Sequence, residues 1–136
     1  MKLNNISNTP IKMQKLSSDM WQTDEEIVII YDTDEGSIKW TISEGFETNF
    51  RSGGTLISPI VPKIGSYAVS YLSHDCGYGD KTLSKALCDT LFYQSLRYYG
   101  MGFVRAKGAY YAVKWFGGKA YDGAQTEKIS VQWLDK

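Results

Sequence analysis

The chain has 136 residues, with 15 basic and 15 acidic side chains, so its net charge is close to zero. This length is typical of one domain that buries its own core. The balanced charge gives no overall electrostatic footprint for nucleic acid or anionic lipid, so we expect no nucleic-acid partner. No segment approaches the ~20 apolar residues of a membrane-spanning helix, and the N-terminus lacks the apolar region of a secretory signal.

The first part of the chain predicts an arm followed by a β-hairpin. Residues 1–25 are polar and aperiodic, which predicts an N-terminal arm ahead of one globular domain, residues 26–136. Residues 26–31 are rich in β-branched side chains and predict a strand. Residues 37–42 alternate between apolar and polar, which predicts a half-buried strand paired with the first. Residues 44–63, rich in glycine, serine, threonine and proline, predict mostly loop.

Two helices are predicted in the middle of the chain. The first covers about residues 65–76 and is expected to end at Gly77 and Gly79, because glycine favours helix C-termini. The second covers about residues 82–99, with Thr82 as its N-cap. Its predicted core-facing stripe consists of Ala86, Asp89, Phe92, Tyr93 and Leu96.

A third helix and a final strand complete the predicted fold. The helix covers about residues 103–116, and residues 128–134 alternate as a strand does. The helix residues expected to face inward are Ala109, Ala112, Val113 and Phe116. The predicted fold class is therefore α+β, with a three-helix cluster packed on a small antiparallel sheet.

One histidine and two carboxylates form the main candidate for chemistry. His74 is the only histidine and precedes Tyr78 by one helical turn, so the two share a helix face. Asp89 lies on a core-facing stripe, where an ionised carboxylate needs a hydrogen-bond donor, and we predict that His74 is this donor. Such a pair either orients an imidazole for catalysis or simply pins two helices together. His74, Asp89 and Tyr78 are thus candidate catalytic residues, and Asp75 is a candidate calcium ligand.

The other chemical possibilities are weaker. The loop that contains Gly53 and Gly54 either approaches a ligand or a cation with its backbone or is a plain turn. It is not a phosphate-binding loop, because no lysine stands at the required offset. One histidine with no nearby set of Cys, His or Glu falls short of a zinc site. Cys76 and His74 point in opposing directions on a helix, which disfavours a Cys–His nucleophile.

Several strings follow one another in a characteristic order. They are GFETN at 45–49, Pro59, Pro62, Gly65, Tyr67, HDCGY at 74–78, KALCD at 85–89 with Phe92, Gly100, and YAVKWFG at 111–117. In order and spacing they resemble the phage and prophage domain of unknown function numbered 1353, over about residues 40–120. The chain departs from the family pattern at Asn49, where the family has Asp, at Ser52 to Gly54, where it has Ser-Ile-Pro, and at Lys85, where it has Arg.

This resemblance implies a bacteriophage protein made in the host cytoplasm. Its leading implied function is that of a structural or accessory protein of the virion or tail, which acts through contacts with other phage proteins or with itself and has no cofactor. Residues 1–25 would then lie extended against another chain. A binder of a small ligand or host factor is a further possibility.

A second resemblance suggests the alternative function. Secreted phospholipases A2 have a helical His-Asp-x-Cys-Tyr, a distant Asp that holds the His, and a glycine-rich calcium loop upstream. Set in chain order, the corresponding residues here are Gly53, Gly54, His74, Asp75, Tyr78 and Asp89. The resemblance implies a calcium-dependent phospholipase or esterase-like hydrolase, in which His74 activates water, Asp89 orients His74, and Asp75 binds calcium with the carbonyls of the two glycines. Cys76 stands one residue early for the usual bridge, so we predict that Cys76 and Cys88 are free thiols.

Overall fold

The computed structural model describes residues 1–17, 20–48, 67–123 and 127–135. Within these residues the chain forms seven strands and four helices, which confirms the predicted α+β class. The strands are β1 (Leu3–Asn8), β2 (Met13–Lys15), β3 (Trp21–Thr23), β4 (Ile27–Thr33), β5 (Gly36–Ile42), β6 (Glu47–Thr48) and β7 (Ile129–Asp135). The helices are α1 (Tyr67–Asp80), α2 (Lys85–Tyr98), α3 (Phe103–Phe116) and α4 (Gly118–Gly123).

The core of the fold is a four-stranded antiparallel sheet in the order β1-β4-β5-β7. The predicted hairpin is its centre, where β4 and β5 pair in a continuous register that places Ile29 opposite Trp40. Gly36 has a φ of 127° at the turn, a conformation that L side chains rarely adopt. Alternate side chains of both strands are buried, as the period-2 pattern predicted. Helix α1 packs on this sheet through β5 and β7.

The N-terminal segment differs from the predicted arm. β1 pairs antiparallel with β4 and forms one edge of the main sheet, while β2 and β3 join β6 in a second, three-stranded sheet. Of the six residues of β1, only Ile6 is buried. The prediction was wrong because an edge strand with a single buried side chain shows no alternation of apolar and polar residues. Its pairing partners also lie farther along the sequence, from Asn8 with Ile29 to Leu3 with Thr33.

The first two helices have different ends from those predicted. Helix α1 continues through Gly77 and Gly79 to Asp80 instead of ending near residue 76, and the residues before Tyr67 lie outside the described part of the chain. Helix α2 begins later than expected, because Ser84 and not Thr82 is its N-cap. The Ser84 hydroxyl accepts a hydrogen bond of 3.1 Å from the backbone N–H of Leu87.

Helix α3 has the predicted bounds and buries Ala109, Ala112 and Val113 as expected. Two residues expected in the core are exposed, namely Ala86 and Phe116. Ala86 is the second residue of α2 and Phe116 is the last residue of α3. The apolar periodicity extends to these helix ends, but fewer neighbouring elements cover a helix there. Leu91 and Ser95 instead join the buried stripe of α2.

We predict that enlarging Gly77 disrupts the contact between α1 and α2. A Cβ atom at this position would lie 2.8 Å from Cys88 Sγ, closer than real Cβ contacts. Gly77→Val should lower the free energy of unfolding by about 1–3 kcal/mol, because the added carbon atoms overpack the interface. Urea denaturation measures this loss, and Cys88→Ala in the same chain should restore part of it. Gly118→Val is the control, since nothing lies within 4 Å of that position; equal losses at both sites would contradict the close contact.

Candidate functional site

The predicted pair of His74 and Asp89 joins α1 to α2. His74 Nε2 lies 2.7 Å from Asp89 Oδ1, and both side chains are buried. The prediction of a hydrogen bond between them is confirmed. The two helices pack directly against each other, with His74 in the middle of α1 and Asp89 in the second turn of α2.

Asp89 is the centre of a network with three side-chain donors. Besides His74, the hydroxyl of Tyr78 donates to Oδ1 at 2.5 Å and the ammonium of Lys85 donates to Oδ2 at 2.7 Å. Burial raises the pKa of Asp89, but the hydrogen bonds from His74, Lys85 and Tyr78 and the charge of His74 outweigh it and lower this pKa below its ordinary value. Asp89 is therefore a carboxylate that only accepts, so His74 Nε2 must carry the donated proton.

Tyr78 lies on the same face of α1 as His74, as the spacing predicted, with ring centroids 4.1 Å apart. Burial and the hydrogen bond to Asp89 raise the pKa of Tyr78, so its hydroxyl stays protonated and donates. Gly117, after the end of α3, leaves room for this hydroxyl, because a Cβ there would lie 2.8 Å from it. Tyr78 thus fixes the Asp89 carboxylate from the side opposite to Lys85.

Lys85 is the member of the network that sequence reasoning missed. Its ammonium binds Asp89 and also donates to the backbone carbonyl oxygens of Val113, at 2.9 Å, and Lys114, at 3.4 Å. A cation at the C-terminal end of a helix is stabilised by the unpaired carbonyls there. The i, i+4 spacing of Lys85 and Asp89 was the available signal for their ion pair. The sequence carried no signal for the contact with α3.

The second nitrogen of His74 has no partner among the residues that the structure describes. Nδ1 is buried and makes no hydrogen bond with any of them, whereas Nε2 is held by Asp89. Because Nε2 carries a proton, Nδ1 has a free lone pair whenever the imidazole is neutral. An unpaired buried nitrogen costs free energy, and native proteins keep few of them. The imidazole is thus oriented through Nε2, while the lone pair of Nδ1 is buried and unused in this conformation.

Asp75 points away from this network. The hydroxyl of Thr48 in β6 donates a hydrogen bond to Asp75 Oδ2. Gly53 and Gly54, the other predicted calcium ligands, lie outside the described residues, as does Asn49. Within the described ranges, no group of three or more His, Cys, Asp or Glu side chains could hold a metal ion. Of the three predicted calcium ligands, the described residues therefore include only Asp75.

Comparison with known proteins places the chain in a family. The profile of the family described as "Protein of unknown function (DUF1353)" matches residues 21–113. The chain belongs to this family. The matched region, more than half of the chain, contains all four residues of the network, and membership of this domain-of-unknown-function family is confirmed. No curated protein and no solved structure gives a significant match.

The two cysteines of this DUF1353 protein are free and buried, as predicted. Burial, with the nearby charge of Asp89, raises the pKa of Cys88 to about 12, and burial raises the pKa of Cys76 well above its ordinary value. Neither residue supplies the thiolate that a cysteine nucleophile requires.

None of the helices in the described ranges is long and apolar enough to cross a membrane.

The network predicts a specific loss of stability in acid. In the folded chain the pKa of Asp89 is lower than 3.8, its ordinary value, which applies to the unfolded chain. At a pH between the folded and the unfolded pKa, the unfolded chain therefore binds more protons than the folded one. The contribution of the ionised carboxylate is complete above the unfolded value and is lost as the pH falls through the folded value. The stability difference between the wild type and Asp89→Asn should therefore narrow below about pH 4. Urea denaturation from pH 6 to pH 2.5 measures it, and a difference independent of pH would contradict an ionised Asp89.

Proposed function

We propose that this protein is a hydrolase of carboxylic esters, including phospholipids, in which His74 is the general base. The observation that carries the proposal is the asymmetry of the imidazole. Nε2 is held at 2.7 Å by an ionised carboxylate, whereas Nδ1 is buried without a partner in the described ranges of the chain. A group that serves only as a structural pin gains nothing from an unpaired nitrogen, while a general base needs one nitrogen oriented and the other available.

In the proposed reaction, His74 Nδ1 takes a proton from a water molecule while the water oxygen attacks the ester carbonyl carbon. The imidazolium that forms is stabilised by Asp89 through Nε2–H, and its new proton passes to the leaving alcohol when the carbon–oxygen bond breaks. Tyr78 and Lys85 are positioning residues, because each holds one oxygen of the Asp89 carboxylate. Since His74 has no exposed side-chain surface, the neighbouring side chains have to move to admit substrate.

The test is an ester-cleavage assay on the purified protein. Phospholipid in mixed micelles and a soluble aryl ester are supplied with calcium or with a chelator, so that the role of calcium is a variable of the assay. We expect cleavage by the wild type and a loss of about 10²–10⁴-fold in His74→Ala. Equal activity of the wild type and His74→Ala would indicate a contaminating esterase and would overturn the proposal. The absence of cleavage by the folded wild type would also overturn it. In the latter case the network is a structural pin.

The second candidate function is the one that the sequence favoured, a structural or accessory protein of a phage virion or tail. A protein with this function would need neither calcium nor another cofactor. The observation in its favour is an exposed apolar surface, which we call the α3 face. It consists of Phe103, Val104, Tyr111, Trp115 and Phe116. Such patches often mark contact sites between proteins. The mass of the purified protein in solution tests self-assembly, and a stable monomer would count against it. The pairing of β1 with β4 removes the other support, an arm extended against another chain.

A further inference from the structure

The α3 face consists of one outward row of side chains on the helix and of two phenylalanines at its ends. Val104, Tyr111 and Trp115 follow the spacing that aligns side chains along a helix, with Gly108 between the first two. The exposed fractions of Val104 and Trp115 are 81% and 66%, and Phe103 and Phe116 are each more than half exposed at the two ends of the helix. Tyr111 stacks on Trp115, with ring centroids 4.8 Å apart. The aromatic side chains are thus held together on the surface.

The opposite side of α3 explains why this face stays outward. Ala106, Ala109 and Val113 are fully buried, and the helix packs against α2 and α4 on that side. Small residues there allow close packing. Turning the aromatic side chains inward would require these buried positions to rotate into water. The orientation of the face is therefore fixed by the core and not by the face itself.

Positive charge predominates in the segment that contains the α3 face. Residues 103–123 contain four basic residues (Arg105, Lys107, Lys114, Lys119) and one acidic residue (Asp122), although the whole chain carries 15 of each sign. The neutral net charge that argued against anionic lipid thus hides a local excess of positive charge. Lys107 Nζ lies 4.7 Å from the ring centroid of Tyr93, and Lys114 Nζ lies 5.9 Å from that of Tyr111. Each ammonium group therefore lies over an aromatic ring, in a cation–π contact. Basic and aromatic side chains on one surface are typical of proteins at a membrane interface.

We propose that the α3 face docks on an anionic lipid surface. Tryptophan and tyrosine favour the boundary between acyl chains and headgroups, and lysine and arginine favour anionic headgroups. A convex helix face needs no complementary groove in a bilayer. A second copy of the chain fits less well, because the positive charges of the two faces would repel each other.

Docking would occur next to the proposed catalytic network. Lys85, which binds Asp89, also donates to the carbonyl oxygens of Val113 and Lys114 at the C-terminal end of α3. One side chain thus links the network to the helix that carries the face. The inference goes beyond the proposed function, because binding to lipid needs no hydrolysis, and the test below keeps the two apart.

The test is co-sedimentation of the full chain with vesicles of ether-linked lipids, which an esterase cannot cleave. We expect binding to vesicles of phosphatidylglycerol, weaker binding to phosphatidylcholine, and release by salt. Trp115→Ser should weaken binding by at least about tenfold, because it removes a large apolar group that docking would bury. Lys107→Gln and Lys114→Gln should each weaken it about fivefold on the anionic vesicles.

Leu134→Ser is the matched control, since Leu134 is an exposed apolar residue on β7, with 43% of its surface accessible. It should leave binding unchanged, and the thermal melts of all variants should match the wild type. The absence of sedimentation with anionic vesicles would overturn the proposal. A different result would also overturn it: a wild type that is a dimer and does not bind vesicles, and a Trp115→Ser variant that is a monomer. The partner of the α3 face would then be a second copy of the chain. Binding without ester cleavage would leave the docking surface standing and reject only the hydrolase.

Discussion

Replacing Asp89 with alanine is expected to lower the free energy of unfolding by about 3–5 kcal/mol, the usual cost of removing one partner from a buried ion pair. With His74 as the only partner of Asp89, the expected loss would be smaller, about 1–3 kcal/mol, the cost of leaving one buried group unpaired. The structure adds Tyr78 and Lys85, whose hydrogen bonds to Asp89 would be lost together with that of His74. The variant would leave three donors facing a cavity.

Urea denaturation of Asp89→Ala at neutral pH measures the loss, with Asp122→Ala as the control. The control makes the same chemical change at an exposed aspartate, where substitutions usually change stability by less than about 0.5 kcal/mol. A loss in Asp89→Ala no larger than in the control would mean that water replaces the carboxylate at little cost. The network would then not hold α1 and α2 together.

Asp89→Asn is expected to keep the fold but lose about 10³–10⁴-fold in kcat for ester cleavage, a loss of the size seen when the aspartate of a Ser-His-Asp triad is replaced by asparagine. The amide has the shape of the carboxylate but cannot stabilise an imidazolium, and it permits the wrong tautomer of His74. Because Asp89 does not contact substrate in the proposed reaction, KM should change little. This split between kcat and KM distinguishes a positioning residue from one that is only structural.

Lys85→Arg is the companion variant for this measurement. The family pattern has arginine where this chain has Lys85, and a guanidinium can also bind a carboxylate and helix carbonyls. Lys85→Arg should therefore retain kcat within about tenfold, whereas Lys85→Met should lose more. Equal kcat values in the wild type and Asp89→Asn would reject the role of Asp89. A total lack of cleavage in the wild type would reject the hydrolase proposal itself.

Elements with strong local patterns were predictable from the sequence. The β4–β5 hairpin follows from alternating side chains around a turn, and α3 follows from its alanines and its flanking glycines. In contrast, β1 was not recognised, because its pairing with β4 depends on a partner distant in the sequence. Gly77 was misread as a helix end, because a glycine needed for close packing against Cys88 looks the same in the sequence as one that ends a helix.

The sequence by itself predicted that His74 would donate to Asp89 and that Tyr78 would share the helix face of His74, because helical spacing and a carboxylate on a core-facing stripe indicate both. Only the tertiary structure decided that Lys85 also bridges Asp89 to the end of α3, and that Nδ1 of His74 is left unpaired. It likewise decided that Trp115 and Phe116 face outward. The physical reason is that periodicity reports contacts within one helix or strand, whereas the partner of a side chain on another element is set by how the elements pack.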